Sequence, residues 1–219
     1  MNIFKFLLID VALVISAIPL LYFLQGSKKN SPLLRSFKKE DILRKTSVKF
    51  PEKEKLIELE KLAKNQGSKI KFASLLGDWK FVSVAKKDID EEDPVFSSFL
   101  RVFNAKIKFK KELSTKNSHI FSIIVSIQFG LVNIEFSGSG YLKGKQPLLP
   151  FYLNLIELKS GSNILLSRSI KKREDEGSSF FSLIALEESG EWLSARGQGG
   201  ALIIWLKDKN NESANRRLD

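Results

Sequence analysis

The sequence predicts a mainly β protein: an antiparallel β-barrel of about nine strands, preceded by an N-terminal transmembrane helix and an amphipathic helix. Three observations lead there. Residues 3–24 form one apolar run, residues 52–66 carry apolar side chains at helical spacing, and from residue 75 to residue 207 apolar residues recur at period two. The pattern divides the chain into an anchor at 1–25, a basic linker with the amphipathic helix at 26–72, the barrel domain at 73–208 and a disordered polar tail at 209–219.

The anchor is long enough to cross a hydrocarbon layer of about 30 Å as a helix. Lys5 and Asp10 interrupt it in its first half, where a lysine can snorkel and a carboxylate can pair or protonate. Residues 23–26, Phe-Leu-Gln-Gly, lack the small-residue pattern of a signal-peptide cleavage site. Lys28, Lys29, Arg35, Lys38, Lys39, Arg44 and Lys45 follow the run, and Lys5 alone precedes Asp10 within it. The positive-inside rule then puts the barrel on the cytoplasmic side of a single-pass membrane protein.

In the linker, Pro51 suits a helix start and Gly67 a helix stop. Between them Leu56, Ile57, Leu59, Leu62 and Ala63 share one side, with Glu58/Lys61 and Glu60/Lys64 as ion pairs on the other. Such a helix packs on the barrel or lies on the membrane surface. The net charge of +11 fits membrane lipid. No nucleic acid is expected, because the basic stretch lacks interleaved aromatics for base stacking.

The barrel opens at residues 75–84, Leu-Leu-Gly-Asp-Trp-Lys-Phe-Val-Ser-Val, where Gly77 eases a turn and Trp79 is large enough to plug a barrel end. Residues 86–94 read as a charged loop, and Phe103, Ala105, Ile107 and Phe109 as the inner face of the next strand. Further strands are predicted at 120–128, 131–136, 151–158, 163–170, 180–186, 190–196 and 201–207. Gly138 and Gly140 are placed where the backbone must curve.

Several chemistries are excluded. The chain has no Cys, so disulfides, thiolate nucleophiles and Cys-ligated zinc are absent. His119 is its only His and no Gly-x-Ser-x-Gly motif accompanies it. The acidic run Asp88, Asp90, Glu91, Glu92, Asp93 lacks calcium-loop spacing. No catalytic residue, metal or cofactor is therefore expected, and the chain reads as a non-enzyme.

Residues 76–81, Leu-Gly-Asp-Trp-Lys-Phe, resemble the opening of the plastid-lipid-associated protein (fibrillin) family of plants and cyanobacteria. Residues 192–204, Trp-Leu-Ser-Ala-Arg-Gly-Gln-Gly-Gly-Ala-Leu-Ile-Ile, are similar to that family's penultimate strand, Arg-Gly-x-x-Gly turn and apolar last strand. The anchor and the lack of a transit segment match a cyanobacterial-type relative. The resemblance implies a lipocalin-like barrel at a photosynthetic membrane such as the thylakoid, binding an isoprenoid such as a carotenoid or quinone.

On that reading Trp79, Phe81, Phe103, Ile107, Phe109 and Phe151 are the candidate ligand lining, and Arg196 lies over Trp79 as a cation-aromatic contact at the barrel end. The alternative is a filled barrel that serves as a scaffold or assembly factor for a membrane protein complex. An isomerase or lyase acting on a bound pigment would instead need buried polar groups, for which Arg168, Glu157 and Tyr141 are the candidates.

Overall fold

The computed structural model describes residues 48–87, 90–111, 120–143, 148–170 and 179–209. The expected anchor and His119 lie outside them, as does the tail beyond Lys209. Among the described residues no helix is long and apolar enough to cross a membrane.

Helix α1 (Lys53–Gln66) occupies the predicted amphipathic segment and ends at Gly67, whose φ of 83° puts its N–H on the Ala63 carbonyl. Leu56, Glu60 and Ala63 are buried, whereas Leu62 is 43% exposed. Lys64 pairs with Glu60 at 2.9 Å as expected; Glu58 pairs with Lys55. A short helix α2 (Phe72–Leu75) then turns the chain under the sheet, so the first strand starts at Gly77.

Nine strands follow: β1 (Gly77–Ala85), β2 (Lys106–Lys111), β3 (Ile120–Phe129), β4 (Val132–Tyr141), β5 (Leu148–Ser160), β6 (Asn163–Ser169), β7 (Ser179–Leu186), β8 (Trp192–Gly197) and β9 (Leu202–Lys207). They form one antiparallel sheet in the order β4-β3-β2-β1-β9-β8-β7-β5-β6, and β4 also pairs with β5, so the sheet closes nearly into a ring. The first and last strands meet with Phe81 opposite Trp205, as the two ends of the sequence predict.

β6 and β7 share one edge of β5. Leu155 faces Ser169, while Phe151 faces Ser179, so the two strands follow each other in a single place in the ring. Beyond that junction the far halves of β3, β4 and β5 continue with β6 as a sheet that extends past the closed part. Gly138 marks the register shift between β4 and β5: a Cβ there would lie 1.9 Å from the Tyr152 carbonyl oxygen. The small residues predicted to ease closure do so by permitting this approach.

The expected loop before β2 is followed by a helix. Helix α3 (Pro94–Val102) is capped by the Asp93 carboxylate, which accepts from the Phe96 N–H, with Pro94 in its first turn. β2 pairs with β1 only up to Lys80, and α3 serves the rest of that edge. Ser97 Oγ accepts from Val84 N–H at 2.9 Å and donates to its carbonyl at 3.2 Å, while Arg101 Nη1 donates to the Val82 carbonyl at 2.7 Å. Polar side chains thus replace a neighbouring strand, because buried backbone groups require partners.

Two apolar cores result. The inner one joins Trp79, Ile107, Phe109, Phe121, Ile123, Leu149, Phe151, Phe181, Leu183, Leu193 and Trp205. The outer one places Leu56 of α1 on Val82, Ile184, Trp192, Leu202, Ile204 and Leu206. The amphipathic helix therefore packs on the barrel wall.

Candidate ligand-binding face

Strand parity decides which side chains face inward. Trp79 and Ile107, adjacent across β1 and β2, are both fully buried. The Trp79 indole donates to the Leu75 carbonyl at 2.7 Å, which fixes it across the end of the ring. Phe109 meets Phe121 edge-on at 5.7 Å, and Phe121 stacks on Phe72 at 5.0 Å. This end is a filled floor.

The next layer is also aromatic. Phe151 stacks on Phe181 at 4.9 Å, Phe181 meets Trp205 edge-on at 5.4 Å, and Trp205 lies 5.4 Å from Phe81. The Trp205 indole N–H is buried with no acceptor. Phe81, Phe96, Phe99, Val125, Ile127 and Leu153 pack against this core while remaining partly exposed.

Above it the inner face stays apolar and becomes less covered. The register carries Ile123 and Val125 onto Gly138 and Phe136, then Ile127 onto Ile134, and these onto Ile156 and Leu158 of β5. Leu158 faces Leu166, which is 60% exposed, on β6. Ile127, Ile134, Ile156 and Leu158 are half-buried. The arrangement offers an apolar surface one sheet wide, open above an aromatic floor, suited to a hydrocarbon chain or ring.

The structure brings Trp79, Ile107, Phe109 and Phe151 together in the inner core, with Phe81 beside them. Phe103 is placed elsewhere than predicted. It ends α3, outside the inner core, between Phe99 at 4.5 Å and Phe129 at 4.2 Å. The helix inserted before β2 moves it off the strand.

Arg196 also requires correction. It lies on β8 between the inward Ala195 and Gly197, so its side chain leaves the outer wall. Its Nε and Nη2 donate to the two Glu60 oxygens at 2.9 and 2.6 Å, and Nη1 donates to Asp90 Oδ1 and the Gly200 carbonyl, both at 2.8 Å. The hydrogen bonds that Arg196 donates to the Glu60 carboxylate raise its already high pKa further, against burial. Burial pushes the Glu60 carboxyl up, yet Arg196 and Lys64 outweigh it and hold it below the usual carboxylate range. Arg196 therefore fastens α1 to the wall. The cation over Trp79 is Lys207, whose Nζ sits 5.1 Å from the ring and donates to the Leu76 carbonyl at 2.8 Å.

Arg168, Glu157 and Tyr141 do not gather inside. Glu157 pairs with Lys159 at 2.9 Å, Tyr141 is 45% exposed, and Arg168 is exposed on β6. Among the described residues no group of His, Cys, Asp or Glu is arranged to hold a metal ion. Sequence reasoning missed Phe121, Phe181, Trp205 and Leu153; of these only Leu153 shares a strand and a period-two parity with a residue it singled out, Phe151. No protein-family model and no curated protein matches the chain.

Proposed function

We propose that the chain is a membrane-anchored, lipid-associated barrel of lipocalin-like type that binds or carries an apolar isoprenoid-type ligand, such as a carotenoid, quinone or lipid, at a photosynthetic membrane. The observation that carries this reading is the inner face from Ile127 and Ile134 to Ile156, Leu158 and Leu166, which is apolar up to the exposed Arg168 opposite Ile156 and only partly covered above a filled floor. A water-soluble ligand would gain little there, whereas apolar area removed from water contributes about 25 cal/mol per Å² before the costs of association. The resemblance of the two terminal motifs adds support, since β1 and β9 carry them side by side.

The test is solvent extraction of the full chain purified in mild detergent, followed by chromatography and mass spectrometry. A pigment, quinone or other isoprenoid near one per chain is expected. Its absence, together with failure of the purified protein to take up added carotenoid or quinone, overturns the reading.

One observation favours a second reading. Trp79, Ile107, Phe121, Ile123 and Leu149 are fully buried, so the lower half of the interior is occupied by the protein's own side chains. A barrel filled to this extent suits a scaffold for a membrane protein complex. That reading requires a co-purifying protein and no bound ligand.

A further inference from the structure

The β3–β4 connection is the turn Gly130-Leu131, closed by the Phe129 and Val132 pair, with Gly130 at φ 58°. With positive φ at Gly130 alone, the turn requires glycine there and gives leucine at the second position no advantage. Leu131 is nonetheless 86% exposed. The pairing of Val132 with Ser160 sets this turn beside the β5–β6 turn, beyond which Ile164, Leu165 and Leu166 of β6 are 56%, 58% and 60% exposed. Leu165 has no opposite residue, because the register steps from Leu158/Leu166 to Lys159/Ile164. Phe129, which closes the turn, continues into a row of tilted aromatic rings with Phe103 and Phe99.

The ionic groups nearby balance. Lys159 binds Glu135 at 2.6 Å and Glu157 at 2.9 Å, and the exposed Arg168 offsets the remaining negative charge, so no net charge opposes contact with lipid. Arg168 is exposed two positions from Leu166, within reach of a headgroup when the leucines enter the acyl boundary.

We infer that the paired β3–β4 and β5–β6 tips, led by Leu131, Leu165 and Leu166, insert into the interface of a bilayer and hold the open apolar face against it. Contiguous exposed leucines at a hairpin tip carry a solvation penalty that lipid contact removes. The inference rests on the membrane-anchored reading above, and it adds a second membrane contact made by the barrel itself.

The chain contains no Cys, so single-cysteine labelling is unambiguous. Full-length Leu131→Cys, Leu166→Cys and, as a control on α1, Lys55→Cys are labelled with an environment-sensitive fluorophore. Each is reconstituted into phosphatidylcholine/phosphatidylglycerol vesicles free of isoprenoids. Probes at 131 and 166 should be blue-shifted and quenched about twofold or more by lipids brominated along the chain, with the probe at 55 unaffected. Flotation with the vesicles but water-like, unquenched probes at both tip positions overturns the tip inference while leaving the anchor and ligand readings intact. Failure to float overturns the membrane reading and this inference together. Burial of the tip probes in detergent, accompanied by a dimer on sedimentation, reassigns the tip to self-association and also overturns it.

Discussion

Replacing Gly138 with alanine tests ring closure directly. The new Cβ would sit 1.9 Å from the Tyr152 carbonyl oxygen and 2.8 Å from the Leu153 Cα, inside the 3.0 Å that such atoms essentially never cross. The obstructing atoms are backbone of the paired strand, so no rotamer change relieves them. Separation of about 1 Å is needed, which breaks ladder hydrogen bonds between β4 and β5 in addition to the 1–3 kcal/mol typical of overpacking. A loss of about 3 kcal/mol or more is expected, or roughly 6–12 °C in Tm for a chain of this size. Thermal and urea melts followed by circular dichroism and tryptophan fluorescence measure it. Gly199→Ala is the internal control, since nothing lies within 4 Å of its added Cβ. If Gly138→Ala melts with Gly199→Ala and the parent, the account of the β4–β5 approach is wrong.

Other outcomes follow from the polar contacts. Glu60→Gln should cost about 1–3 kcal/mol by weakening the Arg196 fastening, read as a lower urea midpoint and faster proteolysis of α1. Because the folded pKa of Glu60 lies below its ordinary value, its contribution is complete above the ordinary carboxylate range and is lost as pH falls through the depressed value. Asp208, held down by Lys80 and Lys106 against its burial, acts in the same sense. Acid titration of the urea midpoint should therefore be shallower in Glu60→Gln than in the parent. Ser97→Ala leaves the Val84 N–H without its side-chain acceptor and should cost about 1–3 kcal/mol, with hydrogen exchange accelerated at Val84. Ser194→Ala, by contrast, removes a buried hydroxyl that has no partner, so its urea midpoint should stay unchanged or rise by up to about 1 kcal/mol of stability.

Period-two alternation made most of the sheet legible, including the number of strands and the meeting of the Trp79 and Trp205 segments. It worked where one face is apolar and the other charged, as in Lys106 to Lys110 of β2. It failed where both faces are covered. β8 and β9 are buried almost throughout because α1 packs outside them, so apolar neighbours such as Trp192 and Leu193 conceal which parity points inward. Only the lipocalin-like resemblance places Arg196 over Trp79; parity on β8 offers no check on it, and the structure turns the side chain outward to Glu60. Helix α3 was also concealed: Pro94 reads as the end of a loop, although Asp93-Pro94 is equally a cap followed by a first helical turn. The tandem placement of β6 and β7 depends on register with β5, which local sequence does not carry. The exposed apolar tip follows the same pattern, since only the pairing of Val132 with Ser160 brings Leu131 beside Leu165 and Leu166.

The pairing of Phe81 with Trp205 has a consequence for biosynthesis. Contacts this distant in sequence form late and slowly, because the intervening chain must be ordered first. During translation the hydrogen-bonding edge of β1 must wait, unpartnered, for nearly the whole domain to emerge. Such an edge is a template for aggregation, and α3, encoded directly after β1, covers with Ser97 and Arg101 only the opposite edge, the one β2 leaves incomplete. The helix thus leaves β1 a single edge to be closed when the last strand arrives.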